Sequence, residues 1–221
     1  MMLSKQSGVF KGILVAMEGV DGSGKSTQTR EVVQCLKAKG LDIVAAREPG
    51  GTDLGDEVRA MLIDPKLRNS MDARAELLLF LSSRAQLVAQ VIMPVLERGG
   101  IVVTDRFIDS SIAIQGGLNK LGHDLVYQLC MVATQGLVPD ATLFIDTPVE
   151  ECFRRIRSGR DTDWQDNFDV SYLTSLHNQY MLWKQRAPYR FFVYNGLTES
   201  STLTGNLCAS IESIYNSKKT I

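Results

Sequence analysis

The clearest chemistry in this chain lies in one run of residues, Gly19-Val20-Asp21-Gly22-Ser23-Gly24-Lys25-Ser26-Thr27. Glycines at this spacing let consecutive backbone N–H groups turn toward phosphate oxygens, while Lys25 adds a positive charge and Ser26 a hydroxyl for Mg²⁺. A helix that begins there aims the positive end of its dipole at the same anion. The run is a complete P-loop, and it predicts that the segment from Gly19 to Thr27 binds the phosphates of a nucleoside triphosphate.

Two further polar loops follow predicted strands. Arg47-Glu48-Pro49-Gly50-Gly51-Thr52 comes after the second apolar run, and Asp105-Arg106 comes after the third. In open α/β sheets the carboxyl ends of the strands form the edge at which ligands bind. We expect Asp105 to face Mg²⁺ and Arg106 to face an anion, in a site with room for two phosphorylated molecules.

Short apolar runs supply the elements that must position these loops. They cover 13–17, 42–46, 101–104, 141–145 and 191–194, with helical patterns between them. Strands that alternate with helices and are apolar throughout predict an α/β fold, a P-loop NTPase three-layer sandwich with a five-stranded parallel sheet and helices on both faces. We expect residues 1–221 to form a single domain.

Composition excludes several classes of protein. The 24 Lys+Arg and 25 Asp+Glu residues of this 221-residue chain leave no basic surplus, so no nucleic-acid polymer is expected as a partner. Cys35, Cys130, Cys152 and Cys208 are far apart, which argues against zinc and disulfides and favours the cytoplasm. The residues up to Phe10 lack the apolar stretch of a signal peptide, and no run reaches the roughly 18–20 apolar residues of a membrane span. No membrane association is expected.

A P-loop alone does not distinguish a switch GTPase, a motor, a transport ATPase and a small-molecule kinase. The remaining motifs resemble those of bacterial thymidylate kinases over essentially the whole chain. The resemblance rests on Gly19 to Thr27, Arg47 to Thr52, Leu79-Phe80 with Arg84, and above all the run Asp105-Arg106-Phe107-Ile108-Asp109-Ser110-Ser111-Ile112-Ala113-Ile114-Gln115-Gly116. It implies transfer of the γ-phosphoryl group from ATP, with Mg²⁺, to dTMP, which gives dTDP and ADP in the supply of dTTP for DNA synthesis.

The same resemblance implies roles for the acceptor site. Phe80 would stack on the thymine, and Arg84 would donate to a thymine carbonyl. Ser110, Ser111 and Gln115 would line the base. Three arginines would surround the monophosphate with the planar fork that suits phosphate oxygens, namely Arg47, Arg59 and Arg106.

Further implied roles concern the transfer itself. Asp21 would accept from the 3′-hydroxyl or lie near the transferred group, and Glu48 would position the sugar or the water shell of the metal. Ser26 and Asp105 would hold Mg²⁺. An arginine-rich lid is expected at about 152–168, in which Arg155 and Arg160 best match the family spacing and would act in catalysis with Lys25, Asp21 and Arg106. One departure is Ile114, where relatives commonly carry Tyr.

Several alternatives stay open at this point. The cationic run Arg154-Arg155-Ile156-Arg157-Ser158-Gly159-Arg160 could be a solvated helix face. Phe80 could be a core residue, and Ser110-Ser111 could cap a helix. The chain could also be another nucleoside monophosphate kinase, a deoxynucleoside kinase, or a regulatory P-loop ATPase.

The segment from Asp72 to Arg98 predicts a long helix that Pro94 kinks or restarts. It has more apolar faces than one sheet covers. With the family resemblance, this favours a homodimer through that helix.

Overall fold

The computed structural model describes residues 10–158 and 169–219. Their sheet has five parallel strands in the order β2-β3-β1-β4-β5. These are β1 (Ile13–Glu18), β2 (Ile43–Arg47), β3 (Ile101–Asp105), β4 (Ala141–Asp146) and β5 (Phe191–Asn195). Each predicted strand is confirmed within one residue at either end.

The central strand β1 shows why continuous apolar runs mark this kind of sheet. From Ile13 to Met17 every residue is 0% exposed, because β3 and β4 flank the strand and helices cover both faces. Parallel strands cannot be joined by a tight turn, so each connection carries at least one helix. The helices are α1 (Lys25–Ala38), α2 (Asp53–Ile63), α3 (Pro65–Arg68), α4 (Ala73–Leu87), α5 (Met93–Glu97), α6 (Ile108–Ser111), α7 (His123–Ala133), α8 (Val149–Ser158), α9 (Val170–Lys184) and α10 (Ser200–Lys219).

Two apolar layers hold the helices against the sheet. On one face α1 and α10 bury Val32, Leu36, Leu207 and Ile211 against the strands. On the other face α4, α7 and α9 contribute to a second and larger cluster. The predicted three-layer sandwich with helices on both faces is therefore confirmed.

The long helix predicted from Asp72 to Arg98 is present and is not uniform. A wider π-helical turn, Val88–Ile92, separates α4 from α5, and Pro94 lies in the first turn of α5. Proline has no N–H and its ring crowds the carbonyl one turn earlier, so the ladder of hydrogen bonds changes just before it. An 18-residue window of the helix from Ala73 to Glu97 has a mean hydropathy of 1.4, so by length and composition alone this helix could span a membrane. Core helices meet the same criterion, which makes this weak evidence.

Candidate active site

The carboxyl ends of β1, β2 and β3 open into one cavity of about 780 Å³. The P-loop and the start of α1 form one wall. The loop after β2, the middle of α4 and the segment after β3 form the others. The predicted polar loops therefore meet at one edge of the sheet, as their positions after the strands suggested.

Two glycines give the P-loop its shape. Gly22 has a φ of 78° and Gly24 a φ of 103°, in the left-handed region where other residues are strained. A Cβ at Gly22 would lie 2.4 Å from the carbonyl oxygen of Cys152, so the loop also packs too closely for a side chain. Lys25 Nζ donates to the carbonyl oxygen of Val20 at 2.9 Å. Burial, and then Arg106, lower the pKa of Lys25, so an incoming anion would stabilise its charge.

The oxygen atoms expected for Mg²⁺ lie side by side. Ser26 Oγ donates to Asp105 Oδ2, which joins the first turn of α1 to the end of β3. A hydroxyl and a carboxylate beside the phosphate-binding loop fit a hard cation that prefers oxygen ligands and retains several waters.

Arg106 connects the P-loop to the segment after β3. Its Nη2 lies 2.6 Å from Asp21 Oδ1, and its Nη1 donates to the carbonyl oxygen of Gly19 at 3.2 Å. Although burial opposes the shift, Arg106 and then Lys25 lower the pKa of Asp21. The arrangement keeps Asp21 ionised and holds a fixed cation at the wall of the cavity.

Arg47 and Arg59 lie on the same side of the cavity. Arg47 is 56% exposed with Nη2 3.5 Å from Asp56 Oδ1, and Arg59 Nη1 donates to the carbonyl oxygen of Pro49 at 3.4 Å. Burial, followed by the charge of Arg47, lowers the pKa of Arg59. Two cations that repel each other at the wall of a cavity form a site for an anion.

The far end of the cavity combines an aromatic ring with a buried ion pair. Phe80 and Ile114 line it and are half-buried. Arg84, only 1% exposed, donates from Nε to Glu48 Oε2 at 2.7 Å and from Nη2 to Ser111 Oγ at 2.9 Å. The guanidinium is therefore fixed before any ligand binds.

Two neighbouring side chains complete this end. Glu48 Oε1 is buried with no hydrogen-bond partner in the part of the chain that the structure describes, and burial raises the pKa of Glu48. Gln115 Nε2 donates to Glu76 Oε1 at 2.7 Å, which fixes the orientation of its amide. Glu76 was not predicted from the sequence.

Of the two lid arginines, the structure describes one. Arg155 on α8 pairs with Glu151 at 2.7 Å, and its Nη1 donates to the carbonyl oxygen of Ser23 in the P-loop at 3.4 Å. Arg160 lies outside the described residues, as does the lid from 159 to 168.

Glu18 and Tyr180 do not line the cavity but contact residues that do, and neither was predicted from the sequence as a site residue. Tyr180 Oη donates to Glu18 Oε2 at 2.9 Å, and Ser110 Oγ donates to the same oxygen at 2.6 Å. A charged residue that ends an apolar strand directly before the P-loop was a usable signal for Glu18. No local pattern pointed to Tyr180.

Comparison with known proteins agrees with this geometry. A family model described as thymidylate kinase matches from residue 17 to residue 201. Thymidylate kinases from Thermosipho melanesiensis and Thermosipho africanus are 44% and 43% identical, over 83% and 91% of this chain and 89% and 96% of their own length. The crystal structure of thymidylate kinase from Ehrlichia chaffeensis has a TM-score of 0.71 at 28% identity, and the match covers 91% of this chain and 98% of that one. This chain belongs to the thymidylate kinase family.

Proposed function

We propose that this chain transfers the γ-phosphoryl group of ATP to dTMP, which gives ADP and dTDP for the supply of dTTP. The observation that carries the proposal is one cavity in which the P-loop faces, across a row of arginines, an end that combines the Phe80 ring with fixed polar side chains. Phosphoryl transfer needs little beyond positioning and charge compensation, and this arrangement supplies both.

On the donor side the P-loop, Gly19 to Thr27, would hold the phosphates of ATP. Lys25 would stabilise the transferring group, and Ser26 with Asp105 would hold Mg²⁺. The ion, when bound, neutralises phosphate charge. Asp21 keeps Arg106 in place through their 2.6 Å contact.

On the acceptor side Arg47, Arg59 and Arg106 would bind the monophosphate. Phe80 would stack on the base, while Arg84 would fix a carbonyl of the base. Ser110, Ser111, Gln115 and Glu48 would complete the pocket around the base and the sugar.

The lid is proposed to span about 152–168. Its start, on α8, already places Arg155 at a P-loop carbonyl. Arg155 and Arg160 would place positive charge beside the transferring phosphoryl group, where negative charge needs compensation in the transition state. Closure of such a segment would exclude water and prevent hydrolysis of ATP.

One assay separates this proposal from its alternatives. ADP release is followed by a coupled reaction while a panel of nucleosides and nucleoside monophosphates is offered as acceptors. We expect the highest kcat/KM with dTMP. A preference for an unphosphorylated nucleoside, or for another monophosphate, would assign a different kinase activity. ADP release that is independent of any acceptor would indicate an ATPase instead.

A homodimer through α4 is also proposed. Leu78 on this helix is 59% exposed, and the flanking helices expose Leu54 on α2 and Val132 on α7. A second copy would cover this apolar face. In sedimentation velocity, Leu78→Glu should produce a monomer, while Leu197→Glu, at an exposed turn beyond β5, should not change the species observed. A wild-type monomer would reject the dimer.

The cytoplasm is the proposed location. Free thiols at Cys35, Cys130, Cys152 and Cys208 support it, since a reducing compartment keeps cysteines in this form. Small nucleotides, and no nucleic-acid polymer or membrane, are the proposed partners.

A further inference from the structure

Glu18 is a fully buried acid at the centre of a network that the proposed chemistry does not use directly. It is 0% exposed, and its carboxylate accepts from Phe107 N at 2.9 Å, from Ser110 Oγ at 2.6 Å and from Tyr180 Oη at 2.9 Å. These donors come from two different segments, the loop and α6 after β3, and α9. Burial of an acid is unfavourable unless several donors hold it, as they do here.

The same network holds Arg106. Arg106 Nη1 donates to Ser110 Oγ and to Tyr180 Oη, both at 3.0 Å, and lies 4.0 Å from Glu18 Oε2. Its backbone has a φ of 69°, a left-handed conformation that costs a residue with a side chain on the order of 1–3 kcal/mol. Thr104 Oγ1 donates to the carbonyl oxygen of Arg106 at 2.9 Å and supports this conformation.

Ordinary core packing does not account for these contacts. A buried tyrosine hydroxyl is satisfied by one partner, yet Tyr180 Oη contacts a carboxylate and a guanidinium together. The side chain that it meets, Arg106, is 16% exposed at the cavity, while Tyr180 itself is 0% exposed. Tyr180 therefore reaches the ligand space only through Arg106.

We propose that Tyr180 and Glu18 are positioning residues that hold the Arg106 guanidinium where it binds the acceptor phosphate. Tyr180 accepts from Arg106 and donates to Glu18, and the Glu18 carboxyl group fixes Ser110 and the loop that carries Arg106. The inference rests on the proposed function, because it assumes that Arg106 contacts an acceptor monophosphate. It assigns a role to an acid and a hydroxyl that do not touch either substrate.

The test is a double-mutant cycle on equilibrium binding. The Kd of dTMP is measured by calorimetry for the wild type, Tyr180→Phe, Arg106→Ala and the combined variant. Binding does not require turnover, so all four proteins can be measured. We expect Tyr180→Phe to weaken dTMP about tenfold and Arg106→Ala about a hundredfold, in line with charged hydrogen bonds. In the Arg106→Ala background, Tyr180→Phe should have no further effect on the Kd of dTMP. In the wild-type background, Tyr180→Phe should change the Kd of ATP less than twofold.

Tyr215→Phe is the matched control. Tyr215 is 6% exposed, and its Oη donates to the carbonyl oxygen of Gly99 at 2.7 Å, away from the cavity. It should lower the unfolding midpoint about as much as Tyr180→Phe and leave the Kd of dTMP unchanged. Glu18→Gln is a second variant with the same expected effect on dTMP, also absent in the Arg106→Ala background.

The outcomes distinguish a failure of the proposed function from a failure of the positioning role. If the wild type does not bind dTMP, the proposed function fails. If it binds dTMP and Tyr180→Phe weakens binding equally with and without Arg106, Tyr180 acts on its own and the inference is wrong. Equal loss of ATP and dTMP affinity would also overturn it, because that pattern indicates a general loss of structure.

Discussion

We expect the removal of the Asp109 charge to be among the most destabilising single substitutions in the chain. Its carboxylate is 0% exposed and accepts from both terminal nitrogens of Arg190, at 2.6 and 2.5 Å, and from Trp183 Nε1 and Thr142 Oγ1, both at 2.7 Å. Arg190 is 3% exposed, so it has no access to water if its partner is neutralised. The cluster joins α6, β4, α9 and the turn that leads into β5.

The magnitude follows from burial. Removing one charge of a buried pair leaves the other uncompensated and costs about 3–5 kcal/mol. We therefore expect Asp109→Asn to lower the free energy of unfolding by that amount in urea titrations followed by circular dichroism, with an unchanged m-value. The chain offers a matched control, since Arg186 pairs with Asp124 at 2.5 Å, but these side chains are 50% and 73% exposed. Asp124→Asn should cost less than about 1 kcal/mol.

Equal losses in the two variants would refute this reasoning, because the Asp124 pair is exposed and has one contact, whereas the Asp109 carboxylate is buried and accepts from three side chains. A changed m-value for Asp109→Asn would show instead that the variant unfolds from a different native state.

Four other variants test the site. Lys25→Ala should lower kcat by on the order of 10²-fold or more with an unchanged unfolding midpoint, as steady-state kinetics and a urea titration would show; near-normal turnover would remove the P-loop from the chemistry. Arg84→Ala should raise the KM of dTMP more than that of ATP and destabilise the fold by about 3–5 kcal/mol, because it leaves Glu48 buried without its partner; equal KM effects would make the residue purely structural. Ile114→Tyr should sharpen the preference in kcat/KM for dTMP over its ribose counterpart, by no more than about 1–3 kcal/mol, and an unchanged ratio would place Ile114 away from the sugar. Burial raises the pKa of Glu18 from 4.5 to about 7. The folded protein therefore holds this proton more tightly than the unfolded chain does, and the stability that this gives is complete below pH 4.5 and is lost as the pH rises through 7. Glu18→Gln removes that dependence, and its stability relative to the wild type should rise by up to about 3 kcal/mol between pH 4.5 and 7.5, whereas a constant difference would contradict the assigned titration.

The sheet and the P-loop could be predicted because their signals are local. A strand buried on both faces is apolar over consecutive residues, as in Ile13 to Met17, and its partners need not be known for it to be recognised. The P-loop carries its function in its own backbone. Once the strands are located, parallel pairing brings Arg47 and Asp105 to one edge without further information.

The polar contacts across the core could not be predicted in this way. Tyr180 lies 162 residues from Glu18, and Arg190 lies 81 residues from Asp109. Charged and hydroxyl side chains follow no periodic pattern along the sequence that would show which distant segments they contact. Arg84 shows the same limit, since its place near Phe80 follows from helical spacing, while its ion pair with Glu48 depends on how α4 packs on the loop after β2.

The strand order has a consequence for the synthesis of the chain on the ribosome. β1 is made first, yet its neighbours are β3 and β4, so it cannot complete its pairing until residue 144 has been translated. The hydrogen bond between Glu18 and Tyr180 forms later still. Translation of the 162 residues from Glu18 to Tyr180, at about 5–20 residues per second, takes roughly 8–32 s. During that time a wholly apolar strand and an unpaired acid are in the nascent chain. The central strand and the Glu18 network are therefore completed late in synthesis, and until then the apolar strand is open to chaperones that bind exposed apolar segments.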